Sequence, residues 1–232
     1  MMKKGNISDK EAGKSITSDR KRTNILRDVE HNSISFLVKK MPSWLSSNML
    51  TGIGFLGNFL VFLSFVAAAY LSKYCLLFGV FGFLVSWFGD SLDGRIAYYR
   101  NIPRKWYGFV LDITVDWIGI LFIGLGFMIY VEAPWIYIGY AFVVLYGWEM
   151  LTAILRYKIT GKYSIDSGIL GPTEVRILIS AILVLEVIFT GSIIYLGALA
   201  IVTLLVVNIL SFNKLLDLAN DRDRSEKKKL TK

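Results

Sequence analysis

"GDSLDGRIAYYRNIPRKWYGFVLDITVDW", residues 89–117, sets four aspartates into a chain that is otherwise oily. Asp90, Asp93, Asp112 and Asp116 fall within 27 positions, flanked by "LLFGVFGFLVSWF" before and "IGILFIGLGFMIYV" after. Carboxylates beside hydrocarbon need a physical reason, because an ionised group is costly to remove from water.

The surrounding composition identifies the solvent. Of 232 residues 54% are hydrophobic, an average that a soluble domain of this length rarely sustains, so a bilayer is expected. Cys75 is the only cysteine and His31 the only histidine, and His31 lies in the polar N-terminal region. That excludes a disulfide framework, a cysteine zinc site and histidine-based triads within the oily region. Carboxylates remain as the catalytic groups. The net charge of +8 comes from short basic blocks between apolar runs, a pattern that orients membrane helices. Nucleic acid is therefore not an expected partner, whereas membrane lipid is.

Residues 1–24 are polar and contain no apolar run, which reads as a disordered cytoplasmic tail without a signal peptide. Residues 25–47 mix apolar and basic side chains and suit a juxtamembrane amphipathic helix lying in the interface. A span requires about 20 apolar residues to cross roughly 30 Å of hydrocarbon. Six stretches qualify at 48–70, 74–92, 108–131, 134–156, 172–191 and 193–213, with "TGS" making a tight turn between the last two. Segment 48–213 is then a six-helix catalytic domain, and 214–232 a basic cytoplasmic tail. With both termini inside, 25 of the 26 Lys and Arg residues lie on the cytoplasmic side and only Lys73 lies outside. The expected fold is an all-α, multi-pass protein of the cell membrane with a cytoplasmic active site.

Asp90 and Asp93 are three apart near the inner end of the second span, and Asp112 and Asp116 four apart near the inner start of the third. Each pair shares a helix face. Antiparallel packing of these two helices would gather all four carboxylates at one depth. Divalent cations relieve their repulsion, and all-oxygen ligation favours magnesium or manganese, two ions being the arrangement suited to phosphoryl transfer. The plainer reading pairs the aspartates with Arg95, Arg100 and Arg104 at a helix end. Gly94 and Ala97 follow Asp93, and Gly108 precedes Asp112 by one turn. These small residues allow close approach by a backbone or a ligand, although ordinary helix packing uses glycine too.

The pattern resembles the signature of the CDP-alcohol phosphotransferase (CDP-alcohol phosphatidyltransferase) family: D-x-x-D-G-x-x-A-R, eight or nine residues, then G-x-x-x-D-x-x-x-D. Asp90, Asp93, Gly94, Ala97, Gly108, Asp112 and Asp116 match in order and spacing. Upstream, "SSNMLTGIG" (46–54) is similar to the family's P-N-x-L-T opening, with Ser47 in place of proline. The resemblance implies a metal-dependent transfer of a substituted phosphate from a CDP-alcohol to an alcohol, with release of CMP. It further implies that Asp90, Asp93, Asp112 and Asp116 form the metal site and that Asp116 also acts as general base. Asn48, Thr51, Gly94, Ala97 and Gly108 would border the nucleotide, and the protein would be a homodimer. One position departs: the family arginine after the alanine is Tyr98, which offers one phenolic donor and no charge.

Other polar residues interrupt the later spans. In "GPTEVR" (171–176), Pro172 and Glu174 suit the first turn of a helix. Arg176 would lie just inside the membrane, where it could form an acceptor-binding anion pocket with Arg156. Glu149 is expected to face the bundle interior. Glu186, three turns beyond Glu174, has no evident partner in the sequence. Two orders of the chemistry remain open. CDP-diacylglycerol could donate to a small polar alcohol or alcohol phosphate, the reading that an anion pocket favours. Alternatively, a CDP-linked ethanolamine- or choline-type headgroup could donate to a lipid alcohol. From a different class, a divalent-cation transporter would also need carboxylates. No second D-x-x-D copy marks the internal repeat common in transporters.

Overall fold

The computed structural model describes residues 27–161 and 171–230; the expected tail at 1–24 lies outside them. Among the described residues the chain is all helical. Helix α1 is Arg27–Lys40, α2 Ser47–Tyr70, α3 Leu76–Tyr99, α4 Lys105–Tyr130, α5 Ile136–Thr160, α6 Pro172–Ile188 and α7 Ser192–Leu230. A single 3₁₀ turn, Lys73–Cys75, joins α2 to α3.

Among the described residues five segments are long and apolar enough to cross a membrane: Ser47–Tyr70, Lys73–Tyr99, Lys105–Tyr130, Ile136–Thr160 and Ser192–Lys229. The expected count of six is therefore met only in part. Helix α6 has 17 residues, about 26 Å of axial length at 1.5 Å per residue, which is short of a full hydrocarbon crossing. The outward sides carry Leu56, Phe81, Leu84, Val144 and Val206, all well exposed, as hydrocarbon-facing surfaces require. Helix α3 runs seven residues past the expected end at 92, so both of its aspartates sit on regular helix. Helix α7 likewise continues beyond 213 through the basic segment.

Small residues determine how the helices meet. A methyl group added at Gly57 would overlap the backbone of Ser86, and one at Gly89 would overlap the backbone of Leu50 and Gly54. Gly82 would place its methyl 2.8 Å from the Gly57 carbonyl oxygen. Helices α2 and α3 therefore touch backbone to backbone. Gly124 and Gly139 do the same between α4 and α5, a methyl at Gly139 lying 2.8 Å from the Gly124 oxygen. Packing then closes a ring: α2 lies on α3 and α4, α4 on α5, α5 on α7, α7 on α6, and α6 on α3. The expected direct packing of the two aspartate helices is corrected here. Helices α3 and α4 each pack on α2, which stands between them because its glycine face admits α3 so closely.

Among the described residues of 25–47, helix α1 ends at Lys40 and a linker leads to α2. Ile34 and Val38, one turn apart on α1, are buried with Leu45 against Leu50, Leu92 and Ile96. Arg100 holds the following linker, donating to the carbonyls of Leu45 (2.6 Å) and Pro42 (2.8 Å).

Glu186, unexplained by the sequence, has an internal role. It is 2% exposed and accepts from the backbone N–H groups of Gly191 (2.9 Å) and Ile193 (2.8 Å) and from the Tyr130 hydroxyl (3.0 Å). It thereby satisfies the open N–H groups where α7 begins. The "TGS" turn preceding α7 has Gly191 at φ +92°, a left-handed conformation that favours glycine.

The α2–α3 crossing yields a test. Gly89→Val should lower stability by about 1–3 kcal/mol through overpacking, whereas Gly94→Ala, whose methyl meets nothing within 4 Å, should leave it unchanged or higher. Thermal unfolding of the two variants in the same detergent checks the contrast.

Candidate metal centre and substrate cavities

The four aspartates line one cavity together with Thr51, Gly54, Asn58, Ser86 and Val115. Helix α3 supplies Asp90 and Asp93, α4 supplies Asp112 and Asp116, and the intervening α2 supplies the neutral wall. Carboxylate oxygens of Asp90, Asp112 and Asp116 lie within 4.8 Å of one another. Asp93 borders the same space but is held differently. Its Oδ2 accepts from the Thr51 hydroxyl at 2.7 Å and its Oδ1 from the Gly94 backbone N–H. The i, i+3 and i, i+4 spacings thus bring both pairs to one place, as expected, although through a third helix.

Arg176 enters from α6. Its Nη1 lies 2.8 Å from Asp90 Oδ2 and its Nη2 3.9 Å from Asp116 Oδ1, with the guanidinium largely buried. The sequence offered Glu174 as its nearest acid, but Glu174 caps its own helix by accepting from the Gly171 N–H at 3.0 Å. Arg176 thereby ties α6 to α3 and brings one positive charge to the carboxylates. Arg156 joins neither cavity. It sits on α5 roughly 15 Å along the axis from Tyr146, the α5 residue that shares a cavity with Arg176.

A second cavity adjoins the first, sharing Asn58 and Asp116 in its lining. Phe83, Ile120, Ile123, Val175 and Ile179 give it apolar walls, with Tyr146 and Arg176 on its rim. Five of the ring's helices contribute, so the space is central to the bundle.

Towards the start of α2, Asn48 is exposed and accepts from Arg104 Nη2 at 2.5 Å. Arg104 also lies over the Tyr107 ring, 4.1 Å from its centroid. Ser46 caps α2 by accepting from the Met49 N–H at 3.2 Å, so Ser47 occupies the first helical position, where proline fits equally well. The departure from P-N-x-L-T is therefore structurally mild. Gly94, Ala97 and Gly108 lie on α3 and α4, and a methyl at either glycine would meet nothing. Helix packing, which uses Gly54, Gly57, Gly82 and Gly89, does not account for these two. Near Tyr98, Arg95 donates to the Ser91 carbonyl at 2.6 Å and Arg100 to the linker, while Arg104 reaches Asn48. Sequence reasoning passed over Asn58, Ser86, Tyr146 and this use of Arg104. The visible signal was Asn58, alone within the apolar run of α2.

The oxygen-only donor set of Asp90, Asp112 and Asp116, convergent and partly buried, fits a hard divalent cation and offers no soft ligand that would favour zinc.

No curated protein matches this chain. The family described as CDP-alcohol phosphatidyltransferase matches residues 44–210, a stretch that contains α2 to α6, most of the apolar part of α7, and every residue of both aspartate pairs. The chain belongs to the CDP-alcohol phosphatidyltransferase family, enzymes that transfer a substituted phosphate from a CDP-alcohol to an alcohol.

Proposed function

We propose that this enzyme takes CDP-diacylglycerol as donor and a small polar alcohol or alcohol phosphate as acceptor, releasing CMP. The observation that carries the transfer reading is the convergence of both aspartate pairs on one cavity that shares Asn58 and Asp116 with a second. Asp90, Asp93, Asp112 and Asp116 would hold one or two magnesium or manganese ions. Such ions supply positive charge for the phosphate oxygens of the reacting group.

The remaining roles belong to the chain. Asp116 stands where the cavities meet and accepts the proton of the attacking hydroxyl. Thr51 fixes the rotamer of Asp93. Asn48, Thr51, Gly94, Ala97 and Gly108 border the nucleotide, and the open space at both glycines supports that placement. Arg176, adjoining Asp116, meets the anionic group of the acceptor. Arg156 is left out of that contact. Bond making joins the acceptor oxygen to the phosphorus that bears the lipid. Bond breaking expels CMP, and one proton is released overall.

A second reading, transfer of a CDP-linked headgroup to a lipid alcohol, draws support from the apolar walls at Phe83, Ile120, Ile123 and Ile179. Chromatography of lipids made from labelled CDP-diacylglycerol with a panel of alcohols separates the two. With helix α6 read as a sixth, shallow span, both termini and the site share one side, and the Lys and Arg bias makes that side the cytoplasm. Dimerisation is carried over from the family.

Activity should vanish in excess chelator and return with magnesium or manganese more fully than with zinc; CMP release after EDTA dialysis is the measurement, and full turnover without metal would defeat this assignment. Asp116→Asn should keep donor binding while turnover falls about 10²- to 10⁴-fold, the usual range for a lost general base. Asp93→Asn should weaken donor binding as well, and identical behaviour of the two variants in binding and rate would disprove the division of roles. Arg176→Lys keeps the charge but loses the planar fork, so it should raise the acceptor KM. Kinetics against each substrate separately would reassign Arg176 if only the donor KM changed.

A further inference from the structure

Ser86 stands out among the helical hydroxyl groups. Thr114 and Thr203 each donate to the carbonyl four residues back, Ser64 to the one three back, and Thr51 to Asp93. Ser86 is 1% exposed and its Oγ has no hydrogen-bond partner among the described residues, yet it lines the aspartate cavity one turn along α3 from Asp90. A buried polar atom without a partner is uncommon in a folded protein and calls for an explanation. Asn58, also buried, lines both cavities, and its amide lies against the bare α-carbon of Gly119 on α4. The two side chains face the aspartates from α2 and α3 as a neutral floor.

From this arrangement we propose that Ser86 and Asn58 bind the reacting oxygens, a proposal that rests on the transfer reading above. The Ser86 hydroxyl donates to a non-bridging oxygen of the phosphate being transferred. The Asn58 amide N–H donates to the acceptor hydroxyl oxygen as Asp116 removes its proton, because Asn58 and Asp116 together form the junction between the cavities. Neutral donors suit this position. They contact an anionic phosphate without adding to the negative charge of the carboxylates, and they need no counter-ion when the cavity is empty. Serine also satisfies the α2–α3 crossing, where a methyl at Gly57 would already meet the Ser86 backbone. Packing accounts for a small residue here, and ligand binding accounts for its hydroxyl.

Ser86→Ala and Asn58→Leu test this, the first removing only the hydroxyl and the second keeping the branched shape against Gly119. Wild type and variants are compared in detergent with CDP-diacylglycerol and whichever alcohol the wild type uses, following CMP release, melting temperature and the magnesium concentration for half-activation. Ser86→Ala should keep or raise the melting temperature and the magnesium midpoint should stay put, while kcat/KM for the donor falls about tenfold, the loss of one buried hydrogen bond. Asn58→Leu should raise the acceptor KM by about the same factor and leave the donor KM unchanged. A lower melting temperature for Ser86→Ala would make the hydroxyl structural and overturn its assignment. Kinetics like wild type, or a loss cured by saturating magnesium, would overturn the proposal as well. A wild type that releases no CMP from any CDP-alcohol defeats the transfer reading itself, whereas an active wild type with equally active variants defeats this inference alone.

Discussion

Backbone contact between α2 and α3 comes before everything else in the site. Gly54, Gly57, Gly82 and Gly89 let the two helices approach without intervening side chains. Only at that separation does the Thr51 hydroxyl reach Asp93 at 2.7 Å, across 42 positions of sequence. In hydrocarbon, helix association relies on such close packing and on interhelical hydrogen bonds rather than on the hydrophobic effect. A side chain at Gly89 would push α3 outward, carrying Asp90 and Asp93 away from α2 and from the pair on α4.

The second constraint is charge. Four carboxyl groups share a cavity between helices, and the fold answers them with Arg176 from α6. That helix is the shortest of the ring, and buried charged side chains fix it at both ends. At its start Glu174 caps the Gly171 N–H and Arg176 holds Asp90; at its end Glu186 accepts from the backbone that opens α7 and from Tyr130 on α4. Each of these groups replaces the water it loses with a hydrogen-bonded partner, the condition for burying charge at all. The position of α6 therefore follows from electrostatics as much as from packing.

Helix identity, approximate span limits, the aspartate constellation and the family signature were legible in the sequence alone. Each is local: apolar runs demand helix in a bilayer, and spacings of three and four place residues on one face whatever the neighbours do. The signature marked Gly94 and Gly108, and the structure shows that helix packing does not require either, since a methyl at each meets nothing within 4 Å. Tertiary structure alone decided what depends on distance between helices. It placed α2 between the aspartate helices, paired Arg176 with Asp90, gave Glu186 its caps, and turned Ser86 and Asn58 towards the cavity. Those outcomes hang on which faces of six helices meet, and a pattern of period 3.6 carries no term for the identity of the partner helix.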